Sequence, residues 1–306
     1  MTDYLLIDGN SIGFAAQQGT RLTLGSTEVQ AIFGVLRSVR MLTAQFPTLQ
    51  PLVLWDGRSW RKQVFAEYKA NRDDKANPKV LAMRDSYRAQ RPHISRGLRH
   101  LGIWQMIAGN MEADDLAGMM VKKAMRDSSA ALMVSGDKDW LQLVGNRIVW
   151  FDPIRQNRVS IANFKEKTGY ANPRAFLEGK ALQGDAGDNI PGVGGIGEKG
   201  AAQLLEKFAS VAAFLDWVGN DETKELGKKL REFAFNTTGG LDKFARNMQL
   251  MDLIPASPPV PERLSLTRGA VDVAVFTEFC EEFQFHSMLN DLTGWMAPFE
   301  RFKEAA

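Results

Sequence analysis

Carboxylate side chains recur at one place in the sequence pattern, directly after a short apolar run or just beyond it. Asp8 follows LLI, Asp56 follows LVLW, and Asp137 and Asp139 follow LMVSG. Two further acidic segments, MEADD and GDAGDN, contain Glu112, Asp114, Asp115, Asp185 and Asp188. Carboxylate oxygens favour hard cations, so Mg²⁺ or Mn²⁺ is expected before Zn²⁺. The acids together therefore predict a carboxylate-lined divalent-metal site.

Bringing these acids together carries an electrostatic cost. Two like charges about 4 Å apart repel by roughly 1 kcal/mol in water and by more near protein, and neighbouring carboxylates raise one another's pKa. Either several acids are protonated or metal ions neutralise them. Singly, each acid also has an ordinary explanation in turn formation or helix capping. Their shared position at one edge of one sheet makes coincidence the weaker interpretation.

The elements that must position the acids are four apolar stretches, YLLI, PLVLW, GIWQMIA and ALMV. They are rich in bulky and β-branched residues and are separated by helical sequence, which predicts an α/β fold around a buried, mostly parallel sheet. In such sheets ligands bind at the carboxyl ends of the strands. We expect Asp8, Asp56 and Asp137 at that edge, and the MEADD acids on the first turn of a nearby helix.

Length and composition indicate a soluble enzyme. The chain has 306 residues, 44% of them hydrophobic, which is enough for one large domain or two modest ones. No apolar run approaches the length of a membrane span, and the first residues lack the pattern of a signal peptide. The single cysteine, Cys280, excludes an internal disulfide and fits a reducing compartment. We therefore expect a cytoplasmic enzyme without a membrane partner.

Basic charge is concentrated in one part of the chain. Residues 58–102 contain 12 Lys/Arg against 4 Asp/Glu, an excess of +8 in a chain whose net charge is +2. This asymmetry beside an acidic site favours a polyanion, although a solvated helical face is the simpler alternative. Lys69 and Arg72 share one face if EYKANR is helical, so both could grip one phosphate. Tyr68 could stack on a base or pack beneath a helix.

A glycine-rich run follows the last acids, in GDAGDNIPGVGGIGEKGAAQLLEKF. Closely spaced glycines let backbone amides approach an anion, and the N-terminus of the following helix adds a favourable dipole. The run matches neither a P-loop nor a dinucleotide fingerprint, and a purely structural helix hairpin is the alternative. Its position after two acids of the proposed site favours a clamp for the DNA backbone.

Six segments, in this order, resemble the 5′ nuclease superfamily of flap endonucleases, bacteriophage 5′ exonucleases and 5′-nuclease domains of bacterial DNA polymerases. They are LLIDGN, WDG followed by Arg58 and Arg61, EYKANR, MEADD, SGDKDWLQLV and GDAGDNIPGVGGIGEKGA. The resemblance covers residues 3–255. It implies a mostly parallel α/β nuclease core with a helical arch, followed by a helical helix–two-turn–helix module that binds duplex DNA. Trp55 stands where the family commonly has Phe, and GDAGDN replaces GD-x-SDN, but neither change removes a ligand.

The resemblance also implies roles for individual residues. It places Asp8, Asp56, Glu112 and Asp114 around one metal ion and Asp137, Asp139 and Asp188 around the other. Asp114 would bridge the two ions, and Asp115 and Asp185 would act through water or from a second layer. Lys69 and Arg72 match arch residues that approach the scissile phosphate, with Tyr68 beside them. The DNA-binding residues would also include Arg58, Arg61, Lys199 and a loop, often holding K⁺, of Gly192, Val193, Gly194, Gly195, Ile196 and Gly197.

The domain organisation that we expect follows from these segments. The nuclease core spans residues 1–175 with its arch at about 58–92, the DNA-binding region spans 176–256, and a linker and C-terminal helix span 257–306. The expected function is a Mg²⁺-dependent 5′-3′ exonuclease or flap endonuclease of DNA replication and repair, with two metal ions and with 5′ ends, flaps or forks as substrate. A small α/β ribonuclease and a non-catalytic DNA-binding protein are the alternatives.

Overall fold

The computed structural model describes residues 2–74, 77–219, 221, 225–237 and 239–305. The strands are β1 (Tyr4–Asp8), β2 (Thr23–Leu24), β3 (Thr27–Glu28), β4 (Gln50–Trp55), β5 (Trp104–Ile107), β6 (Ala131–Val134), β7 (Ile148–Asp152), β8 (Asn157–Val159) and β9 (Ser265–Thr267). In the described residues, β2 and β3 pair with each other and the other strands form one sheet in the order β8-β7-β6-β1-β4-β5-β9. The five central strands are parallel, whereas β8 and β9 are antiparallel edge strands.

Helices connect and cover these strands. The α-helices are α1 (Gly9–Gln17), α2 (Gln30–Gln45), α3 (Arg61–Val64), α4 (Asn71–Asp74), α5 (Pro78–His100), α6 (Ala113–Arg126), α7 (Phe164–Thr168), α8 (Pro173–Gln183), α9 (Glu198–Phe208), α10 (Val211–Val218), α11 (Lys228–Ala234), α12 (Gly240–Met251), α13 (Val273–Glu282), α14 (His286–Leu289) and α15 (Leu292–Met296). Short 3₁₀ helices span Lys138–Leu143, Ile161–Asn163 and Ala297–Ala305.

The sheet is buried on both faces, as the nearly continuous apolar strands predict. Alternate residues of a strand point to opposite faces: Leu6 packs in a core with α6 and the helical region, whereas Leu5 and Ile7 pack in a second core with α1, α2 and α5. In the parallel pairing of β1 with β4, Asp8 lies opposite Leu54. Asp8 and Asp56 are therefore brought to the same edge.

A helical region follows the sheet. Helix α8 is joined to α9 by a hairpin, in which the Val193 amide donates to the Leu182 carbonyl at 2.8 Å and the Ile196 amide donates to the Val193 carbonyl at 2.9 Å. Gly194 and Gly195 have φ values of 54° and 73°, a region that favours glycine. Val193 and Ile196 are buried in the same core as the apolar side chains of helices α9 to α12. The expected two-turn connection between helices is thus present.

The C-terminal segment returns to the sheet. Strand β9 pairs with β5, so Leu266 lies opposite Met106, and α13 packs on α5 with Phe279 against Gly97. Arg40 of α2 donates to the carbonyls of Gly294 and Trp295 at 2.8 and 2.7 Å. The segment after residue 257 therefore contains an edge strand in addition to the expected linker and helix. Among the described helices, none is both long enough and apolar enough to cross a membrane.

Candidate active site

Two of the predicted acids lie at the ends of the central strands. Asp8 is the last residue of β1 and caps α1, because its Oδ1 accepts from the Ser11 amide at 2.9 Å. Its Oδ2 accepts from the Ser135 hydroxyl at 2.7 Å. Asp56 follows β4, and its Oδ1 accepts from the Ala113 amide at 2.7 Å. This last contact brings the N-terminus of α6 to the strand ends.

The MEADD acids surround that N-terminus, as predicted. Glu112 precedes α6 and forms a capping box with Asp115, whose Oδ2 accepts from the Glu112 amide at 3.0 Å. A capping box satisfies amides that the helix itself leaves unpaired. Asp114 Oδ1 accepts from Trp140 Nε1 at 2.6 Å. The start of α6 therefore holds three carboxylates, and each has its own hydrogen-bond partner.

The remaining acids come from two loops, one after β6 and one after α8. Asp137 follows β6, and its Oδ1 accepts from the Asp139 amide at 2.8 Å. Asp185 and Asp188 lie in the loop after α8, where Asp185 Oδ1 accepts from the Gly187 and Asp188 amides at 2.8 and 3.2 Å. Lys180 joins the two loops, because its Nζ lies 3.1 Å from Asp139 Oδ1 and 2.8 Å from Asp185 Oδ2.

Electrostatics divides the cluster into two groups. Burial, and then the neighbouring Asp56, raises the pKa of Asp8 to about 6. Loss of hydration, and then Asp139, raises the pKa of Asp137 to about 7. Burial and then Asp137 raise the pKa of Asp114 well above its ordinary value. These three carboxyls form a group whose negative charge is poorly compensated.

In the second group, which contains Glu112 and Asp185, neighbouring cations compensate the negative charge. Burial opposes ionisation of Glu112, but Lys69 and then Arg61 hold the pKa of Glu112 below its ordinary value. Burial likewise opposes ionisation of Asp185, but the hydrogen bond from Lys180 lowers its pKa. Within the described residues, no three acidic, histidine or cysteine side chains are arranged to hold a metal ion as they stand. Lysine and arginine side chains lie between several of the carboxylates instead.

EYKANR is helical only from Asn71, so Lys69 and Arg72 do not share the helical face that was expected. Both side chains nevertheless lie against the acids. Lys69 Nζ donates to Glu112 Oε1 and lies 3.6 Å from Asp188 Oδ2. Arg72 Nη2 lies 2.5 Å from Asp188 Oδ1. The Lys69 amide donates to the Asp188 carbonyl at 2.9 Å, and Lys69 has a φ of 58°, which is uncommon for a residue with a side chain. The arch segment is therefore docked on the GDAGDN loop.

Two residues expected to contact DNA are turned inward. Arg61 has 3% of its side chain exposed and pairs with Asp115 and Glu112. Tyr68 is 2% exposed, and its hydroxyl lies 2.8 Å from Glu112 Oε2 and 2.9 Å from Asp188 Oδ2. The expectation that Tyr68 stacks on a base and Arg61 binds DNA does not fit this structure, because the buried carboxylates recruit both side chains. Asp115 likewise faces Arg61.

The residues of the hairpin differ in their solvent exposure. Val193 and Ile196 are buried, whereas Gly194, Gly195, Gly197 and Lys199 are exposed and Gly192 is half-buried. Lys229 Nζ donates to the Gly195 carbonyl at 2.8 Å. Exposed backbone at the start of α9 suits an anion, and the two apolar side chains anchor the turn. An ammonium already contacts this loop, and K⁺ at the hairpin stays a prediction.

A cleft of about 690 Å³ runs from the acids along α5. Asp56 and Glu112 are its acidic lining residues, and six lysine or arginine side chains line it as well. The lining residues that the sequence analysis did not single out include Asn10, Phe14, Lys62, Arg84, Arg88 and Arg91. Only the charge excess of residues 58–102 pointed to the four basic residues among them. Arg58 is exposed and does not line this cleft.

Comparison with known protein families gives two matches. A model described as the 5′-3′ exonuclease N-terminal resolvase-like domain matches residues 3–169, and one described as the 5′-3′ exonuclease C-terminal SAM fold matches residues 171–249. The flap endonuclease Xni of Shewanella sp. (strain ANA-3) is 36% identical over 195 residues, covering 63% of this chain and 70% of that protein. DNA polymerase I of Pseudomonas aeruginosa is 34% identical over 205 residues, but this chain spans only 22% of that relative's length.

A solved structure shares the fold. The bacteriophage T5 flap endonuclease, solved as a pseudo-enzyme-product complex with DNA and metal ions, superposes with a TM-score of 0.67. The alignment covers 99% of both chains at 20% identity. The expected fold, an α/β core followed by a helical region, is therefore confirmed.

Proposed function

The chain belongs to the 5′-3′ exonuclease family, and on that premise we propose that it is a Mg²⁺-dependent 5′ nuclease. Its substrate would be DNA with a 5′ end, flap or fork, cut by phosphodiester hydrolysis as a 5′-3′ exonuclease, a flap endonuclease or both. The family membership confirms the expected class of enzyme. The ribonuclease alternative has no comparable support.

One observation carries the proposal: carboxyls with raised pKa values lie beside Asp56 and Glu112, the acids of a cleft that six basic side chains also line. Asp8, Asp114 and Asp137 have raised pKa values because each is buried and then lies near another carboxylate, which is Asp56 for Asp8, Asp137 for Asp114 and Asp139 for Asp137. Such a group binds cations, and oxygen ligands select hard ones such as Mg²⁺ and Mn²⁺. The adjoining cleft supplies positive charge for a phosphate backbone. The bacteriophage T5 flap endonuclease, which shares the fold and was solved with DNA and metal ions, supports a site that binds both.

The proposed ligands keep the division that the sequence implied. Glu112 and Asp114 would join the two strand-end acids, Asp8 and Asp56, at one metal ion. Asp137, Asp139 and Asp188 would hold the second, with Asp185 close to it. Two ions bound by these residues would supply an activated water and stabilise the leaving oxygen.

The arch cations would bind the scissile phosphate. Lys69 and Arg72 now neutralise Glu112 and Asp188, and both side chains lie at the cleft. If these acids held metal ions, Lys69 and Arg72 would be free to donate to phosphate oxygens and to stabilise negative charge in the transition state. The exposed glycines of the hairpin and Lys199 would hold the duplex backbone further along.

The test is cleavage of 5′-labelled flap, nicked-duplex and single-stranded DNA, with Mg²⁺ and with chelator. Metal-dependent cutting at the flap junction, or stepwise loss from the 5′ end, is the expected result and distinguishes the two modes. Preferential cleavage of single-stranded RNA would revive the ribonuclease alternative. DNA binding that is indifferent to Mg²⁺, without product in Mg²⁺ or Mn²⁺, would identify a non-catalytic binding protein.

A further inference from the structure

Arg61 makes more hydrogen bonds to distant parts of the chain than its neighbours at the base of the arch. Its Nε donates to the Leu250 carbonyl at 2.6 Å. Nη1 donates to Glu112 Oε2 at 3.1 Å and to Asp115 Oδ2 at 2.9 Å, and Nη2 donates to Asp115 Oδ1 at 2.8 Å. With 3% of its side chain exposed, Arg61 is inaccessible to a DNA phosphate.

These contacts join Arg61 to two other parts of the molecule. Arg61 begins α3, directly after the loop that follows β4; Glu112 and Asp115 form the capping box of α6. Leu250 lies in the last turn of α12, where the helix leaves carbonyls without an internal partner. One guanidinium thus joins the arch base, the acids at the start of α6, and the helical region.

We propose that Arg61 is a positioning residue: through its paired hydrogen bonds to Asp115 and Glu112 it holds the Glu112 carboxylate in the orientation that the metal site requires. This inference rests on the proposed function. Partners of metal ligands commonly orient them in this way. Asp115 then acts through Arg61, rather than through a water on the metal.

The chemistry of the contact requires arginine. The planar guanidinium presents a fixed fork that matches a carboxylate with two parallel hydrogen bonds and still reaches further acceptors. A lysine at position 61 keeps the charge but has three donors on one nitrogen, so it cannot reproduce the four hydrogen bonds that Arg61 makes from three separate nitrogens. The Arg61→Lys substitution therefore separates geometry from charge.

The experiment is calorimetric titration of Mg²⁺ into the full-length wild-type protein and the Arg61→Lys variant. We expect the variant to bind Mg²⁺ about 10- to 100-fold more weakly. The Mg²⁺ concentration for half-maximal flap cleavage should rise by a similar factor, while DNA affinity in chelator stays unchanged. Wild-type Mg²⁺ affinity in a folded Arg61→Lys protein would overturn the proposal.

Arg40→Lys is the matched control, because Arg40 also joins distant elements through its guanidinium, here to the carbonyls of Gly294 and Trp295. It should leave Mg²⁺ affinity unchanged, and an equal loss in both variants would show a general structural effect and overturn the proposal. If Arg61→Lys does not fold, Asp115→Asn tests the same Arg61–Asp115 contact and should show the same weakened Mg²⁺ binding. Unchanged Mg²⁺ binding by Asp115→Asn would also overturn the proposal. Wild-type cleavage of flap DNA, measured separately, tests the proposed function.

Discussion

The hydroxyl of Tyr68 lies 2.9 Å from the carboxylate of Asp188, a residue 120 positions away in the sequence. The same oxygen lies 2.8 Å from Glu112, so one phenol adjoins acids of both proposed metal positions. Its single proton serves one carboxylate at a time. Tyr68 therefore ties the arch to both sides of the acid cluster, which a base-stacking role would not require.

The Tyr68→Phe substitution should impair cleavage without weakening DNA binding. Phenylalanine keeps the packing but removes a hydrogen bond to charged carboxylates, a contact that contributes about 1.5–3 kcal/mol. Cleavage rate and DNA affinity in chelator are the measurements. Tyr170→Phe is the control, because the buried Tyr170 also loses a hydroxyl contact, here from Gln183 at 2.6 Å. A loss of DNA affinity with normal cleavage of bound DNA would restore the stacking role.

The Asp114→Asn substitution should abolish metal-dependent cleavage while stabilising the metal-free fold. Asparagine is neutral without taking up a proton, so it avoids the cost of keeping a carboxyl buried among like charges, which is on the order of 1 kcal/mol. Asp127→Asn, at the opposite end of α6, should leave cleavage unchanged. Urea unfolding in chelator and flap cleavage in Mg²⁺ are the two measurements. Normal cleavage by Asp114→Asn would remove this residue from the proposed site.

The stability of the protein in chelator should decrease as pH rises, because Asp8 ionises. Its folded-state pKa of about 6 lies above the unfolded value of about 3.9, so between these values the native state holds a proton that the unfolded state releases. This group's contribution to stability is therefore present below about pH 4 and lost as pH rises toward 6.

The Asp8→Asn variant isolates that effect. Asparagine can still cap α1 but does not titrate, so its stability advantage over wild type should grow from pH 4 to 6 and then level off. Urea unfolding at several pH values in chelator measures the difference. Asp127→Asn should differ from wild type by a constant amount between pH 5 and 7, because the pKa of Asp127 is lowered by Lys123. A pH-independent advantage of Asp8→Asn would show that Asp8 ionises normally.

Arg88 should contact a DNA phosphate in the cleft. Its ion pair with Asp85, at 2.7 Å, is exposed and contributes little to stability, so the guanidinium is readily redirected to DNA. Arg88→Gln should reduce the slope of log affinity against log salt by about 1, with folding unchanged. Arg126→Gln, an exposed arginine paired with Asp127 at 3.1 Å, is the matched control. An unchanged slope for Arg88→Gln would place the DNA elsewhere.

The local pattern of the sequence was sufficient to predict the sheet and the acids at its edge. Apolar runs formed β1, β4, β5 and β6 because a strand buried on both faces needs continuous apolar side chains. Parallel strands end at a common edge, so an acid that follows a run lies there whatever the connections are. Asp8, Asp56 and the start of α6 follow from this rule alone, and the six motifs in order identified the family.

Tertiary structure alone decided which way the cations face. EYKANR and its surroundings show that Arg61, Tyr68, Lys69 and Arg72 are near one another, but local spacing does not distinguish a side chain that binds DNA from one that neutralises a buried acid. The partner of Arg61 at Leu250 is 189 positions away. Lys180 lies between Asp139 and Asp185 only because α8 packs beside the sheet edge. Such contacts depend on how separate elements pack, and the physical reason is that a buried carboxylate recruits whichever cation the packing brings within reach.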